Sequence, residues 1–188
     1  ADSASAGFDD YYGASSTTYV AASGGTSTTS GNYRYHYFTS SGTFTISSQG
    51  TGDGSNTVDY IVIAGGGAGG GQSGGGGGAG GYKTGTFSAN TQSYSITVGG
   101  GGNGTVDEPT NGSNSSIAGV YTSSGGGAGG DQRSTRYAAK SGGSGGGAGY
   151  EYTTSPGSGV SGEGNAGGNA GPYSLYPGGG GGGKGGAG

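Results

Sequence analysis

The stretch that most constrains this chain is Val58 to Gly81, VDYIVIAGGGAGGGQSGGGGGAGG. An apolar segment, Tyr60 to Ala64, runs directly into a glycine tract at 65–81. Five further tracts follow, at 99–104, 125–130, 142–149, 157–171 and 178–188, with short β-like segments or loops between them. The motif GGGAGG recurs at 65–70, 76–81 and 125–130, and GGGAG at 145–149. The spacing is irregular, so these are not the repeats of a regular solenoid.

A free Gly/Ser chain is a flexible coil, because glycine loses the most backbone entropy on ordering. Here the tract is tied to a strand with apolar residues on both faces: Val58, Tyr60 and Val62 on one, Ile61 and Ile63 on the other. That pattern predicts a strand buried on both sides, with the glycine tracts as its cover. A polyproline II helix has three residues per turn and no internal hydrogen bonds, so each N–H and C=O needs an outside partner. Several such helices satisfy one another if no Cβ holds the backbones apart. The expected fold is therefore all-β: short antiparallel strands plus a polyglycine II helix bundle, with no α-helix.

Of 188 residues, 57 are Gly and 27% are hydrophobic, so a conventional side-chain core is thin. A net charge of −4 argues against nucleic acid as a partner. No segment reaches the roughly 20 apolar residues of a membrane-spanning helix. Cysteine is absent, which excludes disulfides and thiolate metal sites. The chain starts at Ala1 and has no Met, which fits removal of an initiator, cleavage of a signal peptide, or a fragment.

Residues 1–32 read as an N-terminal extended arm or a linker for assembly or attachment, with Phe8, Tyr11, Tyr12, Tyr19 and Val20 as anchors. Residues 33–188 read as the glycine-rich domain. Tyr33–Phe38 and Gly42–Ser48 are expected to form a hairpin through a short connection, with Phe44 and Ile46 on one face. Tyr82–Ser88 and Gln92–Val98 read as a second strand pair, with Tyr94, Ile96 and Val98 sharing a face. Ser115–Ser123 is a further strand candidate.

The segments YRYHYFTSSGTFTI, VDYIVIAGGGAGGG, GGGGGAGGYKTGTFS, SYSITVGGGG and NGSNSSI occur in that order over about residues 33–130. They resemble the glycine-rich domain of bacteriophage tail-fibre and tail-tip proteins. More loosely, the chain resembles phage adhesins that carry a polyglycine II sandwich with receptor-contacting loops at its tip. The resemblance implies a virion-surface fibre protein, commonly trimeric, whose distal loops touch the host. It departs from the family in having only about 30 residues before the matching region.

Motifs for chemistry are weak. GxGxxG matches within 65–81 arise from composition, and no helix former follows them. Gly178–Lys184 has the GxxxxGK spacing, but Gly185 stands where a Ser or Thr must bind magnesium. His36 sits in an aromatic strand and reads as structural. Asp9–Asp10 and Asp107–Glu108 offer hard oxygen ligands for Ca²⁺, but read as solvated loop charge in the absence of EF-hand spacing. Asn103, Asn111 and Asn114 begin N-x-S/T sequons, and Asn111–Gly112 also reads as a turn. No catalytic residues, cofactor or metal are expected.

The connections between tracts hold the recognition candidates. Arg133, Arg136 and Lys140 surround Tyr137 in DQRSTRYAAK, donors and an aromatic plate that suit an acidic polysaccharide or polar receptor. The alternative is a solubilising loop. Tyr150, Tyr152, Tyr173 and Tyr176 offer large contact area at low entropy cost, or else cap the bundle and pack between subunits. The expected function is non-enzymatic: a phage fibre or adhesin subunit that contacts host cell-surface polysaccharide or an outer-membrane protein through loops at the bundle ends. The alternative is a secreted subunit that polymerises into an extracellular filament through its N-terminal arm. Ice binding would need a regular Gly-X-X ladder, which is absent.

Overall fold

A computed structural model describes residues 18–51, 56–104, 108–131, 138–150, 155–171 and 177–188. Among them there is no helix, and every pairing between named strands is antiparallel. The protein is all-β. The strands are β1 (Ala21–Ser23), β2 (Thr26–Ser30), β3 (Tyr33–Tyr37), β4 (Gly42–Ser48), β5 (Thr57–Ile63), β6 (Tyr82–Ser88), β7 (Ser93–Thr97), β8 (Ser115–Ile117) and β9 (Tyr121–Ser123). They form a five-stranded sheet in the order β1-β4-β7-β8-β9 and two two-stranded sheets, β2-β3 and β5-β6.

Period-2 alternation places the core as expected on β4 and β7. Phe44, Ile46, Tyr94 and Ile96 are buried, while Thr43 and Ser95 face out. Val58 and Phe87 of the β5-β6 pair pack against this cluster, with Phe87 edge-on to Tyr94 at 5.1 Å between ring centroids. The side-chain core thus lies between two small sheets.

Strand partners differ from the expectation. β3 pairs with β2, not β4, and β6 pairs with β5, not β7. The boundary expected at residue 32 falls in the turn of the β2-β3 hairpin, and β1 and β2 belong to the domain's own sheets. Val20 packs on the core, whereas Tyr19 is exposed. β5 is buried on one face only: Val62 is buried, but Ile61 and Ile63 are 63% and 60% exposed. The tracts continue the strands lengthwise, so they do not cover the outer face.

That continuation is visible in the hydrogen bonds. The β5-β6 ladder ends at Ile63↔Tyr82, and the next bond joins Ala64 N–H to the Gly81 carbonyl. Beyond it the repeat changes. Ala64, Gly67 and Gly70 donate to Gly81, Gly78 and Gly75, so pairing recurs every third residue, not every second. The run turns back at 71–73, where Gln72 adopts a positive φ of 52°.

The same period links the other tracts. Gly75, Gly78 and Gly81 donate to Gly130, Gly127 and Ser124 at 2.8 Å. Gly127 and Gly130 in turn donate to Ser144 and Gly147. Gly145 and Ala148 extend the pattern by donating to Asn165 and Gly168. Residues within one tract thus point successive N–H groups at different neighbours. Two positions of the 109–114 segment use side chains for this: Asn114 Oδ1 accepts from Gly125 N–H and Asn111 Oδ1 from Ala128 N–H, both at 2.9 Å. Asn111–Gly112, expected as a turn, is instead part of this network.

Residues 125–131 and 143–150 are buried throughout, although most have no side chain beyond hydrogen. A Cβ added at Gly127 would collide with the Lys140 carbonyl oxygen, and one at Gly146 with that of Ala128. Gly127→Ala and Gly146→Ala are each expected to cost roughly 3 kcal/mol by overpacking. Gly185→Ala, where a Cβ meets nothing within 4 Å, should change stability by less than about 0.5 kcal/mol. Urea denaturation of the three variants checks both statements.

Candidate functional site

The direction of each tract decides where the connections emerge. Tracts 64–70 and 124–131 run parallel, since Gly126 and Gly129 donate to Gly65 and Ala68. Tract 144–150 runs parallel to 124–131, and 164–171 parallel to 144–150, through the bonds already described. Tyr150 N–H donates to Ser73 O in the 71–73 turn, and Gly171 N–H to Pro177 O. The pairs Gly70 and Gly74, Gly104 and Glu108, Asp131 and Ala138, Tyr150 and Ser155, and Gly171 and Pro177 therefore all lie at one end of the tract region. The strands lie at the other.

At that end Lys140 is half-buried. Its Nζ donates to Glu108 Oε1 at 3.2 Å and to the Pro109 carbonyl at 3.1 Å. Tyr150, expected on display, is buried at 5% exposure and packs within the tracts. Arg133, Arg136, Tyr137, Tyr152, Tyr173 and Tyr176 lie outside the described residues, as do Phe8, Tyr11 and Tyr12. Asp9–Asp10 and Asp107 also lie outside them. Among the described residues no three His, Asp or Glu side chains converge as metal ligands do.

A second surface, absent from the expected sites, stands on the strand side. The chain leaves β1 through Gly24 and Gly25, at φ of +113° and +60°, backbone conformations that favour glycine. An added Cβ at either would meet the backbone of Thr43 or Tyr37. This kink lifts β2 and β3 out of the five-stranded sheet as a separate hairpin closed by Gly31–Asn32. Its base is pinned by His36, whose Nδ1–H donates to the Gly24 carbonyl at 2.8 Å and whose ring meets Phe44 edge-on at 5.3 Å. His36 is thus structural in this fold.

Alternation then sets the hairpin's two faces. Arg34 and His36 share one, and Tyr33, Tyr35 and Tyr37 the other. The three tyrosines are 65%, 42% and 52% exposed, with successive ring centroids 6.3 Å apart. Opposite them in register stand Ser30, Thr28 and Thr26. The signal for this hairpin was a Gly-Asn pair between TSTTS and YRYHY, a two-residue turn between strand-like runs.

Comparison with known families matches residues 39–188 to a glycine-rich domain. The chain belongs to that glycine-rich domain family. No curated protein and no solved structure matches it.

Where the glycine-rich domain joins strands to tracts, it buries one carboxylate. Glu163 Oε1 accepts from Tyr121 O–H at 2.7 Å, and Oε2 accepts from Ser124 N–H at 2.8 Å. Lys83 Nζ stands 5.7 Å from the Tyr121 ring centroid. The hydrogen bond to Glu163, then burial, then the Glu163 charge push the Tyr121 hydroxyl up to about 12. A raised phenol stabilises the fold below the ordinary tyrosine value of about 10, and that contribution disappears as pH rises through about 12. Comparing alkaline absorbance titrations of the native domain and Tyr121→Phe isolates this phenol. Its ionisation is expected near 12, and Glu163→Gln should bring it down toward 10.

Proposed function

We propose that this glycine-rich domain is a non-enzymatic recognition module of a virion-surface fibre or adhesin. Its tracts act as a polyglycine II bundle, a stiff support whose end connections meet the host. The observation that carries this reading is the convergence, at one end of the tract region, of the residues that bracket five successive connections. In sequence, the stretches between three of those bracketing pairs read QRSTRY, EYTT and PYSLY, which contain Arg133, Arg136 and the tyrosines Tyr137, Tyr152, Tyr173 and Tyr176. Arg offers planar donors for phosphate or carboxylate groups, and tyrosine offers contact area. Both suit bacterial surface polysaccharide or the exposed loops of an outer-membrane protein. The three-residue hydrogen-bond period supports the polyglycine II assignment, since a threefold helix turns its donors to three neighbours. The filament alternative keeps fewer residues, because 18–30 lie within or beside the domain's own strands and leave assembly to residues 1–17.

Labelled native domain is expected to bind purified lipopolysaccharide or outer-membrane vesicles from at least one bacterium in a panel. Arg133→Ala/Arg136→Ala/Tyr137→Ala should weaken that binding by about tenfold or more. Lys184→Ala, at the opposite end of the tracts, should leave it unchanged. Equal binding by the triple variant, or no binding to any surface, overturns the reading.

A further inference from the structure

The outward face of the β2-β3 hairpin has no structural task that requires three tyrosines. An isolated two-stranded hairpin is marginal in water, and this one is exposed along all of β2. Its attachment runs through the other face and the base, by way of His36, Phe38 and the glycine kink. Tyr33, Tyr35 and Tyr37 contribute strand propensity, which threonine would supply as well. What the rings add is a solvent-facing aromatic stripe, and a contiguous patch of this kind marks an interaction site.

The chemistry of the face selects its partner. It carries no charge: three phenol rings run beside three hydroxyls, Ser30, Thr28 and Thr26, in direct cross-strand register. It also carries no aliphatic side chain, and the hydroxyl row gives the rings polar neighbours along their whole length. At its Tyr37–Thr26 end the stripe opens into a cleft of about 280 Å³. That cleft is lined by Thr39, Ser40, Ser41 and Thr43 as well as by Tyr37 and Phe38. Hydroxyl-bearing residues therefore continue from the strand into a mainly polar, open hollow edged by Tyr37 and Phe38. A pyranose presents C–H groups from its flat faces and hydroxyls from its rim, which is the complement of this arrangement. The even 6.3 Å spacing of the rings suits a chain of such units better than a single one.

We infer that the Tyr33–Tyr35–Tyr37 stripe and the adjoining cleft bind an uncharged, extended polysaccharide. This deepens the recognition role proposed above and rests on it, but it assigns a second surface, on the strand side and away from the tract ends.

Affinity electrophoresis of the whole domain tests it, in gels containing hydroxyethylcellulose, laminarin, mannan or dextran. At least one of these neutral glycans is expected to retard the native domain. Tyr33→Thr/Tyr35→Thr/Tyr37→Thr should lose about tenfold or more in affinity while keeping the native near-UV spectrum of the core. If the triple variant folds poorly, Tyr35→Thr alone should weaken binding about threefold and Tyr35→Trp should restore or exceed it. The variant Arg133→Ala/Arg136→Ala/Tyr137→Ala should be retarded like the native domain, which separates this site from the tract-end surface. The inference is overturned if no neutral glycan retards the native domain, or if the tyrosine variants are retarded as strongly as it is. It is equally overturned if the tyrosine substitutions convert a sedimenting dimer to a monomer, because the stripe would then be an interface between copies.

Discussion

Every feature of this domain depends on one requirement: a buried peptide group must be hydrogen-bonded, whether or not a side chain is there to fill space. In most domains, apolar side chains make the interior and the backbone pairs within sheets or helices. Here residues 125–131 and 143–150 make an interior that is largely backbone. The N–H groups of neighbouring residues must therefore reach different partners, and partners must approach more closely than any Cβ permits. Ala128 and Ala148 are both fully buried, so a methyl group fits at those two positions. Elsewhere, as at Gly127 and Gly146, the neighbouring carbonyl occupies the place a methyl would need. Glycine is kept here for what it lacks.

The side-chain core and the backbone core meet without a break. β5 runs into 64–70, 75–81 runs into β6, and the ladder between the strands becomes the bonding between the tracts. At this seam the spacing passes from two to three, and the neighbouring seam around Ser124 needs groups that backbone pairing leaves over. Glu163 supplies them, holding Ser124 N–H and Tyr121 O–H together. Asn111 and Asn114 do the same along the outer side of 125–128. A few polar side chains thus finish what glycine begins.

Local features were legible in the sequence and pairings were not. Alternation at Phe44/Ile46 and Tyr94/Ile96 is contained within single strands, so the buried face could be read directly. Partner choice was read from proximity, which joined β3 to β4 and β6 to β7. In the fold the glycine tracts decide instead: the turn at Gln72 folds 64–70 onto 75–81, and this brings β5 and β6 together. The interruption Gln72–Ser73 inside the run was the available sign. Reading the tracts as a lateral cover also predicted a doubly buried β5, whereas their lengthwise continuation leaves Ile61 and Ile63 outside. The tyrosine stripe escaped notice because its turn, Gly31–Asn32, sat at an assumed domain boundary.

The order in which the tracts occur along the chain has a further consequence. Tract 177–183 donates to Ala148 and Gly145, while Gly76 and Ala79 donate to Gly179 and Gly182. The third neighbour of an early tract thus lies about a hundred residues later in the sequence. Until it arrives, the amides of Gly76 and Ala79 stay hydrated, even though 64–70 and 75–81 already pair locally as an extension of the β5-β6 hairpin. Contacts so distant in sequence make for slow, highly concerted folding. During synthesis the strands and their side-chain core are complete by residue 123, whereas the tract region closes only once 177–183 has been made.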